Sequence, residues 1–218
     1  MFLKVCGLRS PADAQTVNPF LPGYGGLVFA PGRRQVDQKG AGEILQALDP
    51  RILPVGVFLN APEEEMKNLR DTLGLKILQL HGQESPELIR RLGGRIWKAL
   101  PGDSPAGEIF RYLEVAEMVV LDAMAPGVPG GSGRTFDWSR IPREIPRERL
   151  ILAGGLNPEN LREAMETVGP AGLDVASGSE RSGRKDPEKI RALMEETRKW
   201  NTRMDTTDSL EEPFFRNP

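Results

Sequence analysis

Short apolar runs recur along the chain at Phe2–Val5, Gly26–Phe29, Val55–Leu59, Ile77–Leu80, Ile96–Leu100, Met118–Leu121, Leu150–Ala153 and Leu173–Ala176. They are continuous rather than alternating, which is the pattern of strands covered on both faces in a parallel sheet. Helical patterns fall between most of them. Ser10-Pro11-Ala12-Asp13 joins a cap to a helix-start proline, and Ile44, Leu45 and Leu48 share one face. Glu63-Glu64-Glu65 sets acids in a first turn, ahead of a stripe of Met66, Leu69 and Leu73. Ser85-Pro86-Glu87 and Asp186-Pro187-Glu188 repeat the start signal, the second opening a helix to about Trp200. Pro142 and Pro146 weaken any helix between Asp137 and Arg149.

Eight strand-like runs alternating with helices fit an α/β fold, a single-domain (β/α)8 TIM barrel over 1–200. A doubly wound open sheet is the structural alternative. Residues 201–218 are largely polar, with an apolar Pro213-Phe214-Phe215, and read as a loosely attached, disordered tail. A chain of 218 residues suits one such core. Net charge −2 argues against a nucleic-acid or anionic-membrane binder, and no run approaches the roughly 18–20 apolar residues of a membrane span. The N-terminus enters a strand at once, leaving no room for a signal peptide, so a cytoplasmic protein is expected. One cysteine and one histidine exclude a disulfide within the chain and a multi-cysteine or histidine-rich metal centre.

Barrel function sits at the carboxyl ends of the strands. The residues there are Cys6-Gly7, Ala30 to Arg34, Asn60, His81-Gly82, Pro101, Asp122, Gly154-Gly155 and Ser177-Gly178. Gly154-Gly155 follow an apolar strand and precede Asn157-Pro158, read as a helix cap and first residue. Backbone N–H groups exposed there, and around Ser177-Gly178, suit an anion, usually phosphate. A plain strand–turn–helix connection is the competing reading. Cys6 as thiolate could take a proton from carbon or attack an electrophile, although about 3% of an ordinary thiol is ionised at neutral pH. Inert core filling is its alternative. Asp122 suits a proton donor or acceptor, against a simple turn cap, and donation would require a raised pKa. The loop Pro126–Gly133 is long enough to cover a ligand. Arg34, ahead of Arg33, could grip a carboxylate in fork geometry, or be an ordinary solvated arginine. His81 could hydrogen-bond substrate or support a neighbour. Lys4 and Lys98, each within a strand, suit ion pairing inside the barrel better than Schiff-base chemistry.

Several motifs stand in one register: Lys4-Val5-Cys6-Gly7-Leu8, Gly26-Leu27-Val28-Phe29 leading to Arg34, Val55 to Asn60, Leu78-Gln79-Leu80-His81-Gly82, Leu121-Asp122 followed by Gly130 to Trp138, Ala153 to Asn160, Asp174-Val175-Ala176-Ser177-Gly178, and Gly183 to Asp186. Over residues 2 to about 198 the chain resembles the phosphoribosylanthranilate isomerases of tryptophan biosynthesis. Two departures are a short loop ending in Arg33-Arg34 and Ala176 in place of the first serine of Ser-Ser-Gly. The resemblance implies an Amadori rearrangement of N-(5-phosphoribosyl)anthranilate to 1-(2-carboxyphenylamino)-1-deoxyribulose 5-phosphate. It implies Cys6 as general base, Asp122 as general acid, and Arg34 on the anthranilate carboxylate. Phosphate would lie on Gly154, Gly155, Ser177 and Gly178. No cofactor or metal is called for, and the partner is the small phosphorylated substrate, with a monomer or homodimer expected. Another phosphosugar barrel, or a silent barrel that only binds a metabolite or protein, is the alternative.

Overall fold

A computed structural model describes residues 1–123 and 136–208. The chain alternates β1 (Phe2–Cys6), α1 (Pro11–Val17), β2 (Tyr24–Val28), α2 (Gln38–Ala47), β3 (Leu53–Phe58), α3 (Glu63–Leu73), β4 (Ile77–Leu80), α4 (Pro86–Leu92), β5 (Ile96–Pro101), α5 (Ala106–Leu113), β6 (Met118–Asp122), β7 (Leu150–Leu152), α6 (Leu161–Val168) and β8 (Gly172–Val175). A hairpin, β9 (Glu180–Arg181) with β10 (Arg184–Lys185), precedes α7 (Pro187–Asp208). The first eight strands pair in parallel and in order, and β1 closes on β8 through Phe2↔Gly172 to Val5↔Val175. The barrel is therefore closed, and the open sheet is ruled out.

Closure buries both faces of every strand, and most of the side chains there are apolar. Leu3, Val5, Leu27, Leu78, Leu80, Val119, Leu121 and Leu173 face the helices, while Val55, Ile77, Trp97, Val120 and Ile151 pack inside the barrel. Phe2, Tyr24 and Trp97 plug the end where the strands begin, with ring centroids 4.8–5.7 Å apart. Edge-to-face and offset contacts of this kind suit aromatic quadrupoles. The polar end of the barrel is consequently the one where the strands finish.

Several elements differ from the sequence reading. Regular helix α6 begins at Leu161, not Pro158, because Asn157 and Asn160 cap one another first. Asn157 Oδ1 accepts from the N–H of Glu159 and Asn160 (3.0 and 3.1 Å), and Asn160 Oδ1 accepts from the N–H of Asn157 (2.9 Å). Helix α7 runs to Asp208, eight residues past Trp200. Asn201 Nδ2 donates to the Met1 carbonyl at 2.8 Å, so the start of the expected tail is tied to the barrel. Helix α5, not singled out from sequence, buries Ile109, Tyr112 and Leu113. In the described residues between β6 and β7, only two short 3₁₀ turns form, as the prolines there foretold. The expected covering loop Pro126–Gly133 and residues 209–218 lie outside the described residues.

Candidate active site

One cavity of about 520 Å³ opens at the strands' carboxyl ends, lined by Cys6, Arg33, Arg34, Gln79, His81, Asp122, Gly154, Gly155, Asp174 and Ser177 among others. Cys6 and Asp122, on β1 and β6, thus border the same space. All the expected site residues line it except Gly178, which adjoins Ser177 in the 3₁₀ turn Ser177–Ser179.

Cys6 pairs in register with Gly26 of β2, and a β-carbon at position 26 would lie 2.7 Å from the sulfur. Bare backbone there is what leaves room for the thiol. Two residues earlier on the same face, Lys4 is fully buried and donates to Asp174 Oδ2 at 2.6 Å. Burial pushes the Cys6 thiol upward, while Lys4 acts against it, Asp174 reinforces it and Lys185 opposes it more weakly. Lys4 itself is raised: burial disfavours its charge, but Asp174 and Cys6 outweigh that cost. Lys4 is therefore a resident cation under the thiol, as the ion-pair reading of that lysine required.

His81 Nε2 stands 3.7 Å from Asp122 Oδ2, beyond hydrogen-bond range. Burial lowers the imidazole pKa despite the opposing carboxylate, so the ring is neutral at pH 7. Lys98 fills a different role, away from the chemistry. It donates to Glu84 Oε2 (3.2 Å) and to the carbonyls of Leu80, Gly82 and Ala99, while Glu84 accepts from the N–H of Asn60 and Gly82.

The two glycine-rich turns touch. A β-carbon on Gly178 would overlap the Leu156 carbonyl, so only glycine permits this approach. Gly154 and Gly155 have φ of +86° and +66°, a region disfavoured for other residues. Asn157 and Asn160 both donate to the Gly155 carbonyl (3.2 and 3.1 Å). A trans peptide points its N–H opposite its C=O, so the Leu156 N–H is turned the other way, and Leu156 lines the cavity. Among the described residues, the N–H groups of Gly154, Gly155, Ser177 and Gly178 have no protein acceptor. Before α6, Asn157 accepts from the N–H groups of Glu159 and Asn160, whereas Asn160 at the α6 N-cap makes no side-chain cap hydrogen bond.

Arg34 is buried and already holds a carboxylate. Its Nε and Nη2 donate to Glu180 Oε1 and Oε2 at 2.7 and 3.0 Å, whereas the more exposed Arg33 reaches Glu180 only at 3.3 Å. The Arg34 stem crosses Gly7, where φ is +80° and a β-carbon would collide with it. Glu180 and Lys185 were not identified as site residues from sequence. Lys185 stands in a quoted motif, but nothing local marks either as part of the site.

A sequence model of the family described as "PRAI: N-(5'phosphoribosyl)anthranilate (PRA) isomerase" matches residues 3–196. The chain belongs to the N-(5'-phosphoribosyl)anthranilate isomerase family. As a phosphoribosylanthranilate isomerase it is an isomerase of tryptophan biosynthesis. The N-(5'-phosphoribosyl)anthranilate isomerase of Acetivibrio thermocellus is 40% identical over 209 residues, spanning 90% of this chain and 95% of that one. The phosphoribosyl anthranilate isomerase structure from Thermotoga maritima is 33% identical at a TM-score of 0.79, covering 91% of this chain and 99% of that one. Another phosphoribosyl anthranilate isomerase, solved with reduced 1-(o-carboxyphenylamino)-1-deoxyribulose 5-phosphate, is 32% identical at a TM-score of 0.77 over 91% of this chain and 99% of that one.

Proposed function

We propose that this cavity carries out the Amadori rearrangement with Cys6 as general base and Asp122 as general acid. The observation supporting it is that these two groups border one cavity with two turns whose N–H groups suit a phosphate. Asp122 protonates the furanose ring oxygen of N-(5-phosphoribosyl)anthranilate, and the ring opens to an iminium. That positive charge acidifies the neighbouring sugar carbon, whose proton goes to Cys6. The enolamine then tautomerises to the ketone, and no electrons leave the molecule. Gly154, Gly155, Ser177 and Gly178 hold the phosphate, and Arg34 holds the anthranilate carboxylate. Neutral His81, close to Asp122, is placed to accept or donate one hydrogen bond without adding charge. The sole partner needed is the substrate. The protein works in the cytoplasm, alone or as a homodimer, and its small net charge offers no drive toward nucleic acid.

Turnover is followed by the change in anthranilate-type fluorescence on rearrangement. Cys6→Ser and Asp122→Asn are each expected to lower kcat by about 10²- to 10⁴-fold, with the circular dichroism spectrum retained. Near-normal turnover in either variant would remove the role assigned to that residue.

A further inference from the structure

Glu180 lies where β8 has ended and the β9–β10 hairpin begins, with only 5% of its side chain exposed. Its two oxygens grip Arg34 in a fork at 2.7 and 3.0 Å, and Oε1 also meets Lys185 Nζ at 3.3 Å. The Lys185 side chain is buried, and it donates to the Cys6 carbonyl (2.7 Å), the Ala176 carbonyl (3.3 Å) and Ser179 Oγ (2.9 Å). One carboxylate therefore ties the loop after β2 to the strand carrying Cys6 and to the turn assigned to phosphate. Burial alone would raise Glu180, but Arg34 and Lys185 more than compensate and leave it lowered and ionised.

A guanidinium is planar, with five N–H donors in fixed directions. A carboxylate clamped on one edge fixes the plane in which the others point. An arginine on a loop would otherwise sample many rotamers and lose that freedom on binding. We propose that Glu180 is a positioning residue for substrate recognition: it orients Arg34 for the anthranilate carboxylate, leaving the acid–base chemistry to other groups. The proposal rests on Arg34 being the carboxylate ligand, as assigned above. A purely structural staple would serve every substrate alike, and that difference can be measured.

The experiment compares kcat/KM for N-(5-phosphoribosyl)anthranilate with that for the aniline analogue lacking the carboxylate, in Glu180→Gln, Glu180→Asp and Arg34→Met. Each value is a ratio of two substrates on one preparation, so loss of folded protein cancels. In Glu180→Gln the carboxylated substrate is expected to lose about 10- to 100-fold, chiefly through KM. The analogue should change by no more than about threefold, and Glu180→Asp should recover part of the preference. An unchanged ratio in Glu180→Gln, while Arg34→Met abolishes the preference, overturns the proposal and leaves Arg34 in place. A preference that survives Arg34→Met overturns the assignment of Arg34 and the proposal with it.

Discussion

Cys6 has a base's position but not, at rest, a base's charge. Its burial favours the neutral thiol, and Lys4 is the cation that most strongly works the other way. With Cys6 as the proposed general base the active form is the thiolate, so kcat/KM should rise with pH across neutrality toward the alkaline side. Lys4→Met removes the opposing charge and should shift that rising limb to higher pH. The pH dependence of Cys6 alkylation by iodoacetamide provides the check, and an unmoved limb would detach Lys4 from the thiol. Cys6, Asp122 and the glycines were legible in the sequence because each follows an apolar run, where a barrel places its chemistry. Glu180 was not, because its meaning comes from cations that fold onto it from 146 residues upstream and five downstream.

At the level of elements, the strands were readable because a strand buried on both faces is a near-continuous apolar run. Helix α5 follows Pro105 with no side-chain cap at its start, so the usual signature was missing. The α7 end was misplaced because residues 201–208 are polar apart from Met204 yet contain neither glycine nor proline to stop a helix. The β3, β4 and β5 ends are joined by Glu84, which caps the Asn60 and Gly82 N–H groups and pairs with Lys98; both side chains are 1% exposed. Removing one member of a buried pair strands the other's charge. Glu84→Ala should therefore destabilise the fold by about 3–5 kcal/mol, read from urea denaturation. A loss under about 1 kcal/mol would mean that the pair behaves like a surface one.

For the whole molecule, the barrel separates an aromatic plug at one end from a polar mouth at the other, and the proposed binding and acid–base groups border that one opening. In the proposed scheme, phosphate held on backbone donors supplies attraction remote from the reacting carbons. The dephosphorylated substrate should consequently lose kcat as well as affinity, by at least about 10²-fold in kcat/KM. Steady-state kinetics on the two substrates test this, and equal rates would take phosphate out of the recognition scheme.

Lys185 and Cys6 are 179 residues apart in the chain yet joined by a hydrogen bond, and the first strand completes its ladder only on the eighth. A growing polypeptide therefore carries the Cys6 thiol early but completes the cavity around it only once the last strand and hairpin have emerged from the ribosome. Premature chemistry by nascent chains is foreclosed by topology. Two complementary fragments, silent apart, would turn over substrate only on reassembling into one ring.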